Sequence, residues 1–183
     1  MNREDALNLL NEYTKNPNLI KHALAVESAM IYYAELFGED KEEWGMAGLL
    51  HDFDYEKYPQ APDHPVKGSE ILKEKGYPES IRNAILGHAD YTGVPRDTKM
   101  AKTLFAVDEL CGFIVAVALV RPNKNIEEVE VKSVKKKMKD KAFAKQVSRD
   151  EITKGAEEID INLDEHIQNC INALKNISDD LGL

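Results

Sequence analysis

The chain has 183 residues, 43% of them hydrophobic, enough to bury one substantial core within a single domain. Its 24 Lys and Arg against 33 Asp and Glu leave a net charge of -9, which disfavours nonspecific nucleic-acid or anionic-membrane binding driven by overall charge and leaves room for a local basic patch. The opening Met1-Asn2-Arg3-Glu4-Asp5 lacks the layout of a signal peptide, and the longest apolar run, 110–120, falls short of the roughly 18 residues that suggest a membrane span, so a cytoplasmic protein without a membrane partner is expected.

Helical periodicity runs through almost the whole chain, and the fold expected is all-α. Ala6, Leu7, Leu9, Leu10 and Tyr13 mark a short amphipathic helix that Asn16-Pro17 ends, because proline suits a helix start and not its interior. A second helix follows from about Pro17 to Phe37. It carries His22, Val26, Met30 and Tyr33 on one face, so His22 points inward, and Gly38 supplies the stop. Lys41 to Leu50 forms a third helix that ends at His51-Asp52. Pro65 to Lys75 and Pro78 to Leu86 give two more, with His64 just before the first and His88 just after the second. Thr98 to Val120 is expected to be the longest helix. Beyond Arg121-Pro122, a lysine-rich segment and the stretches Asp150–Glu158 and Asp164–Ile177 read as further helices. Cys111 and Cys170 lie in apolar helical surroundings without CxxC spacing, which points to buried free thiols rather than a disulfide or a thiolate zinc site. There is no alternating strand pattern, internal repeat or long linker.

Four of the five histidines lie between positions 22 and 88, each on or beside a helix. Adjacent helical residues point about 100° apart, so His51 and Asp52 can converge on one ion only at a helix end, which is where they stand. Imidazole with carboxylate suits Fe, Mn, Co, Ni or Zn, and the two oxygens of Asp52 can bridge two ions. Asp108 lies in an apolar helix where a carboxylate is costly to bury without a cation or hydrogen-bond donors; the alternative is pairing with Lys or Arg, or emergence beside Glu109. His64 and His88 are candidates for a second ion or the substrate, or else ordinary loop histidines. His166, at a helix start, reads as a capping or surface residue. The basic cluster Lys132, Lys135, Lys136, Lys137, Lys139 and Lys141 has no interleaved aromatic residues and reads as a solvated helix face, with attraction of a polyphosphate or nucleotide as the alternative.

The succession of His22, His51-Asp52 after Ala47-Gly48-Leu49-Leu50, His64-Pro65-Val66-Lys67-Gly68-Ser69-Glu70-Ile71-Leu72, Gly87-His88 and Asp108 resembles the HD superfamily of metal-dependent phosphohydrolases, particularly its HDIG-like branch. The resemblance covers about residues 21–110. It implies an HD-type helical bundle over 1–183 with extra C-terminal helices at 122–183, in which His22, His51, Asp52 and Asp108 bind one divalent transition metal. His64 and His88 would complete a second site, with Asp52 bridging. Phe53-Asp54 stand where the HDIG branch has Ile-Gly, so roles of the residues after the pair do not carry over.

The chemistry this implies is attack of a metal-bound hydroxide on the phosphorus of a nucleotide or other small phosphate ester. Asp54 is a candidate proton acceptor for the attacking water, and Lys67 a candidate phosphate contact near a helix N-terminus, with solvated loop and surface roles as the alternatives. A dinuclear iron oxygenase and a metal-bearing sensory or interaction module without turnover are the competing functions. The oligomeric state is open.

Overall fold

Local hydrogen bonding sets most of the helix boundaries. In the computed structural model, which describes residues 1–183, the Asn2 side chain accepts from Asp5 N while the Asp5 carboxylate accepts from Asn2 N, starting α1 (Arg3–Tyr13) with a reciprocal cap. Asn16 caps α2 (Pro17–Phe37), which has Pro17 in its first turn and ends at Gly38 with φ 70°, a left-handed conformation that glycine adopts without penalty. Asp40 accepts from two backbone N–H groups to start α3 (Lys41–Leu50). Then come α4 (Asp63–Glu74), α5 (Glu79–Gly87) and α6 (Lys99–Leu119), with the Thr98 side chain capping α6. Helices α7 (Val131–Met138), α8 (Arg149–Glu158), α9 (Leu163–Lys175) and α10 (Ser178–Leu181) complete the chain.

Ten helices and no strand make the fold all-α, as the periodicity requires, and the expected bounds of α2 and α3 are met to the residue. Two details differ. The expected longest helix, α6, has 21 residues and equals α2. Helix α4 begins two residues before Pro65, but its geometry is broken at His64 (φ -80°, ψ 138°), because the proline ring disfavours helical backbone in the preceding residue. That break sets His64 apart from the regular helix behind it.

Helices α2 and α6 pack together at the centre, with α3 along α2, and α8 and α9 against α6. Their apolar faces merge into one core of 41 buried residues reaching from Ala6 to Leu181, so the C-terminal helices share the core of the first six. Each fully enclosed side chain such as Leu50, Leu104 or Phe113 contributes about 1.5 to 3 kcal/mol through the apolar area it removes from water. No helix is long and apolar enough to cross a membrane. Cys111 and Cys170 are buried and free, as expected.

His166 corrects the sequence reading. It is neither a cap nor a surface residue: it is fully buried, its Nε2 donates to the Ala106 carbonyl at 2.9 Å, and its Nδ1 accepts from the Tyr33 hydroxyl at 2.5 Å. Asn162 caps α9 instead, and the first turn of that helix directs His166 into the seam with α2 and α6. The lysine cluster follows the solvated-face reading. Val134 of α7 is buried, the lysines are partly or fully exposed, Lys135 pairs with Asp164, and none lines the cleft described below.

Candidate metal centre

The ends of α3 and α5, the break in α4, the first turns of α2 and the middle of α6 converge on a cleft of about 420 Å³. His22, one turn into α2, and Asp108, in the middle of α6, face each other across the helix pair with Nε2 and Oδ1 2.9 Å apart. His51, at the end of α3, comes up beneath them, its Nε2 3.4 Å from Asp108 Oδ1. Asp52, His64 and His88 form a second group, with Asp52 Oδ1 3.1 Å from His64 Nε2 and 3.5 Å from His88 Nε2. Within each trio the prospective ligand atoms all lie within 4.8 Å of one another.

The angular divergence of adjacent residues explains why there are two trios. His51 falls in the first group, and Asp52, through Oδ1, in the second. The other Asp52 oxygen, Oδ2, lies 3.5 Å from His51 Nε2, so one carboxylate faces both groups.

Three of the four imidazoles are oriented from behind. His51 Nδ1 donates to the Gly48 carbonyl at 2.8 Å and His88 Nδ1 to the Ile85 carbonyl at 2.5 Å, each bond reaching back three residues. His64 Nδ1 donates to Asp54 Oδ1 at 2.8 Å. A hydrogen on each Nδ1 leaves the Nε2 lone pair facing the cleft, the arrangement metal-binding histidines require. Asp54 is held in turn by the Gly68 N–H, which donates to Oδ2 at 2.8 Å. This approach needs a glycine: a Cβ at position 68 would stand 2.7 Å from Asp54 Cγ.

The electrostatics ask for positive charge. Burial opposes charging of His64, but its hydrogen bonds with Asp52 and Asp54 outweigh that and hold the imidazolium pKa at about 9. His51 and His88 are likewise raised despite complete burial, through Asp52 and Asp108. Burial works against ionisation of Asp52 and Asp108 too, yet the surrounding imidazoles hold both carboxyls well below the usual range. Without another cation, the cluster must draw protons onto its imidazoles to balance the buried carboxylates. The fit of a metal can be tested at one atom. His51 Nε2 is buried and has no hydrogen-bond partner, since neither nearby carboxylate oxygen is aligned with it. An unsatisfied buried nitrogen is costly unless a ligand meets it, and imidazole with carboxylate is a donor set for Fe, Mn, Co, Ni or Zn.

The structure thus brings His22, His51, Asp52, His64, His88 and Asp108 to one cleft, and separates Asp54 and Lys67 from it. Asp54 is fully buried with an oxygen engaged by each of His64 and Gly68, so it is neither a solvated loop residue nor free to take a proton from water. Lys67 points outward to Glu70 at 3.2 Å and does not line the cleft. The Asp108 alternatives also fall away, since its partners are His22 and His51 rather than a Lys or Arg. Sequence reasoning passed over Tyr55, Tyr91, Glu109 and Glu151, which line the cleft as well. Burial and the adjacent Asp108 push the Glu109 carboxyl up to about 7, and burial together with Asp108 and Asp90 raises that of Glu151. A carboxylate next to Asp108 in an apolar helix could have signalled Glu109; nothing local signals Glu151.

Comparison with known proteins gives a consistent assignment. The HD domain family profile matches residues 19–112. Among curated proteins, the chain is 32% identical over 130 residues to Ribonuclease Y of Lawsonia intracellularis, an alignment covering 68% of this chain and 22% of that protein. The chain therefore spans about a fifth of that relative's length. No solved structure matches. The matched segment contains all six clustered side chains, from His22 on α2 to Asp108 on α6, and the chain belongs to the HD domain family.

Proposed function

We propose that this chain is a metal-dependent phosphohydrolase that cleaves a small phosphate ester. One observation carries the reading: Asp52 turns one oxygen toward His64 and His88 and the other toward His51, the disposition of a carboxylate shared between two neighbouring cations. His22, His51 and Asp108 would hold one ion, and His64 and His88 the other. When bound, divalent ions there would acidify water and offset charge on phosphoryl oxygens, work that no side chain of the cleft is placed to do alone.

The protein's own groups have distinct tasks. Asp54, through Nδ1 of His64, fixes the ring that faces the second ion. Glu109 lines the cleft with one oxygen engaged by Ser148 N and the other free, placed to exchange a hydrogen bond with the departing alcohol. The related Ribonuclease Y raises RNA as a substrate, but a polyanion finds no lysine or arginine in this cleft lining, which favours a small ester.

The test is hydrolysis of an aryl phosphate, mononucleotides, cyclic nucleotides and a short RNA by the full chain, loaded in turn with Mn, Co, Ni or Fe, with and without oxygen. Turnover of a small ester that vanishes with chelator, returns with metal and ignores oxygen supports the proposal. Turnover that persists in chelator or needs oxygen and reduced iron, or silence across the panel, refutes it.

A further inference from the structure

The segment matched by the HD domain profile ends at residue 112, yet Val147 and Glu151 also line the cleft. Two contacts put them there. The Ser148 N–H donates to Glu109 Oε2 at 3.1 Å, tying the start of α8 to the cleft edge. One turn beyond Glu151, Gly155 lies against α6 so closely that a Cβ on it would stand 2.5 Å from Ala106 Cα. The C-terminal extension therefore supplies a wall to a cleft whose prospective metal ligands all come from the matched segment.

The chemistry of that wall is one-sided. The Glu151 carboxylate forms no ion pair within the protein; Ser148, which caps its backbone N–H, is the one side chain that hydrogen-bonds near it. No lysine or arginine lines the cleft. Arg96 and Lys154 approach its rim through Asp90 but are engaged there and by Glu158. The unpartnered Nε2 of buried His51, between Asp52 and Asp108, places the prospective metal and hence the phosphoryl end beneath the same cleft. A substrate whose phosphoryl end lies at the two histidine groups shares the cleft with an acceptor carboxylate that no cation pairs, and with no lysine or arginine to neutralise a second anionic group.

We propose that Glu151 is a specificity-determining residue that accepts a hydrogen bond from an ammonium or hydroxyl group on the alcohol portion of a phosphate monoester, and so selects monoesters bearing such donors over those carrying a further anion. The inference rests on the phosphohydrolase reading for the orientation of the substrate. It is tested by binding, so that the two can fail separately. A charge-assisted hydrogen bond to a carboxylate is among the stronger polar contacts, whereas a second anion beside Glu151 meets like charge.

The experiment is calorimetric titration of the manganese-loaded full chain with four non-hydrolysable probes of similar length: aminoethylphosphonate, hydroxyethylphosphonate, propylphosphonate and carboxyethylphosphonate. The expected order of affinity is ammonium, hydroxyl, methyl, carboxylate, with the ammonium probe binding about tenfold or more tighter than the methyl probe. Glu151→Gln should lower the ammonium preference and retain much of the hydroxyl preference, because the amide oxygen still accepts. Glu151→Ala should erase both, and circular dichroism with metal content checks that each variant is folded and loaded. An ammonium advantage without a hydroxyl advantage assigns the site to amino-alcohol esters, and the two together assign it to donors in general. Equal affinity for the methyl and ammonium probes, tightest binding of the carboxylate probe, an order that survives in Glu151→Ala, or no binding of any probe overturns the proposal. Should the order hold while no ester is hydrolysed, the phosphohydrolase reading fails and the assignment of Glu151 stands.

Discussion

His51, on the cleft floor, and His166, in the seam between α2, α6 and α9, are both fully enclosed, yet the first is pushed toward its charged form and the second down to about 4. Burial alone lowers the pKa of both. What separates them is company. His51 lies among Asp52 and Asp108, whereas His166 donates to a carbonyl and accepts from a phenol, partners that satisfy a neutral ring. The comparison teaches that a buried imidazole becomes a ligand site or a structural strut according to whether buried carboxylates leave a charge deficit beside it.

The strongest way to break the comparison is to remove the shared carboxylate. Asp52→Ala is expected to lower metal content at both positions and to cut ester hydrolysis by more than about 100-fold, read by elemental analysis and initial rates. Full occupancy in that variant would remove Asp52 from its bridging role.

The seam can be probed by pH. The folded pKa of His166, about 4, lies below the ordinary unfolded value near 6.5, so between them the unfolded chain binds more protons. The stability associated with neutral His166 is therefore complete above about pH 6.5 and declines as pH falls toward 4, by about 3 kcal/mol in all. Denaturant unfolding of metal-free protein across this window should show the loss, and His166→Gln should remove it from the difference between the two proteins. Parallel pH curves for wild type and variant would mean that His166 is not held neutral.

Asp54→Asn sharpens the division between the two trios. An asparagine keeps the shape but presents an amide N–H to one of two donors, His64 Nδ1 or Gly68 N, so His64 loses its fixed orientation. Metal affinity at the His64–His88 position should fall about tenfold to 100-fold while the His22–Asp108 position keeps its ion. Equal loss at both positions, measured by competition with a chromogenic chelator, would argue against separate orienting roles.

The smallest expected effect concerns the wall. Gly155→Ala puts a methyl group into the backbone of α6 at Ala106 and should cost about 1 to 3 kcal/mol of stability by overpacking, seen as a lower denaturation midpoint. An unchanged midpoint would mean that α8 can withdraw from the cleft without penalty.

The residues differ sharply in how far their roles could be read along the chain. Asn16-Pro17, Gly38 and Asp40 announce helix ends because a cap and its backbone partners are only a few positions apart. The six clustered side chains were legible through their chemical types and order beside helices. Asp54 was not: its residue type in a short loop suits a solvated carboxylate equally well, and what buries it is Gly68, fourteen positions later. Lys67, one residue before Gly68, pointed the other way for the same reason, since its direction depends on which face of α4 is covered. His166 escaped because Tyr33 and Ala106 reach it from helices distant in sequence.

By itself the sequence determined the all-α class, the bounds of α2 and α3 and the set of histidines and aspartates able to hold metal, since capping, periodicity and ligand chemistry are properties of neighbouring residues and of side-chain type. The tertiary structure alone decided that Asp52 faces His51 with one oxygen and His64 and His88 with the other, that Asp54 anchors a ring, that His166 is a buried strut and that Glu151 faces the cleft. Those outcomes depend on which helix covers which polar group, and that is set by apolar packing between segments far apart in the chain, where no local pattern records the partner.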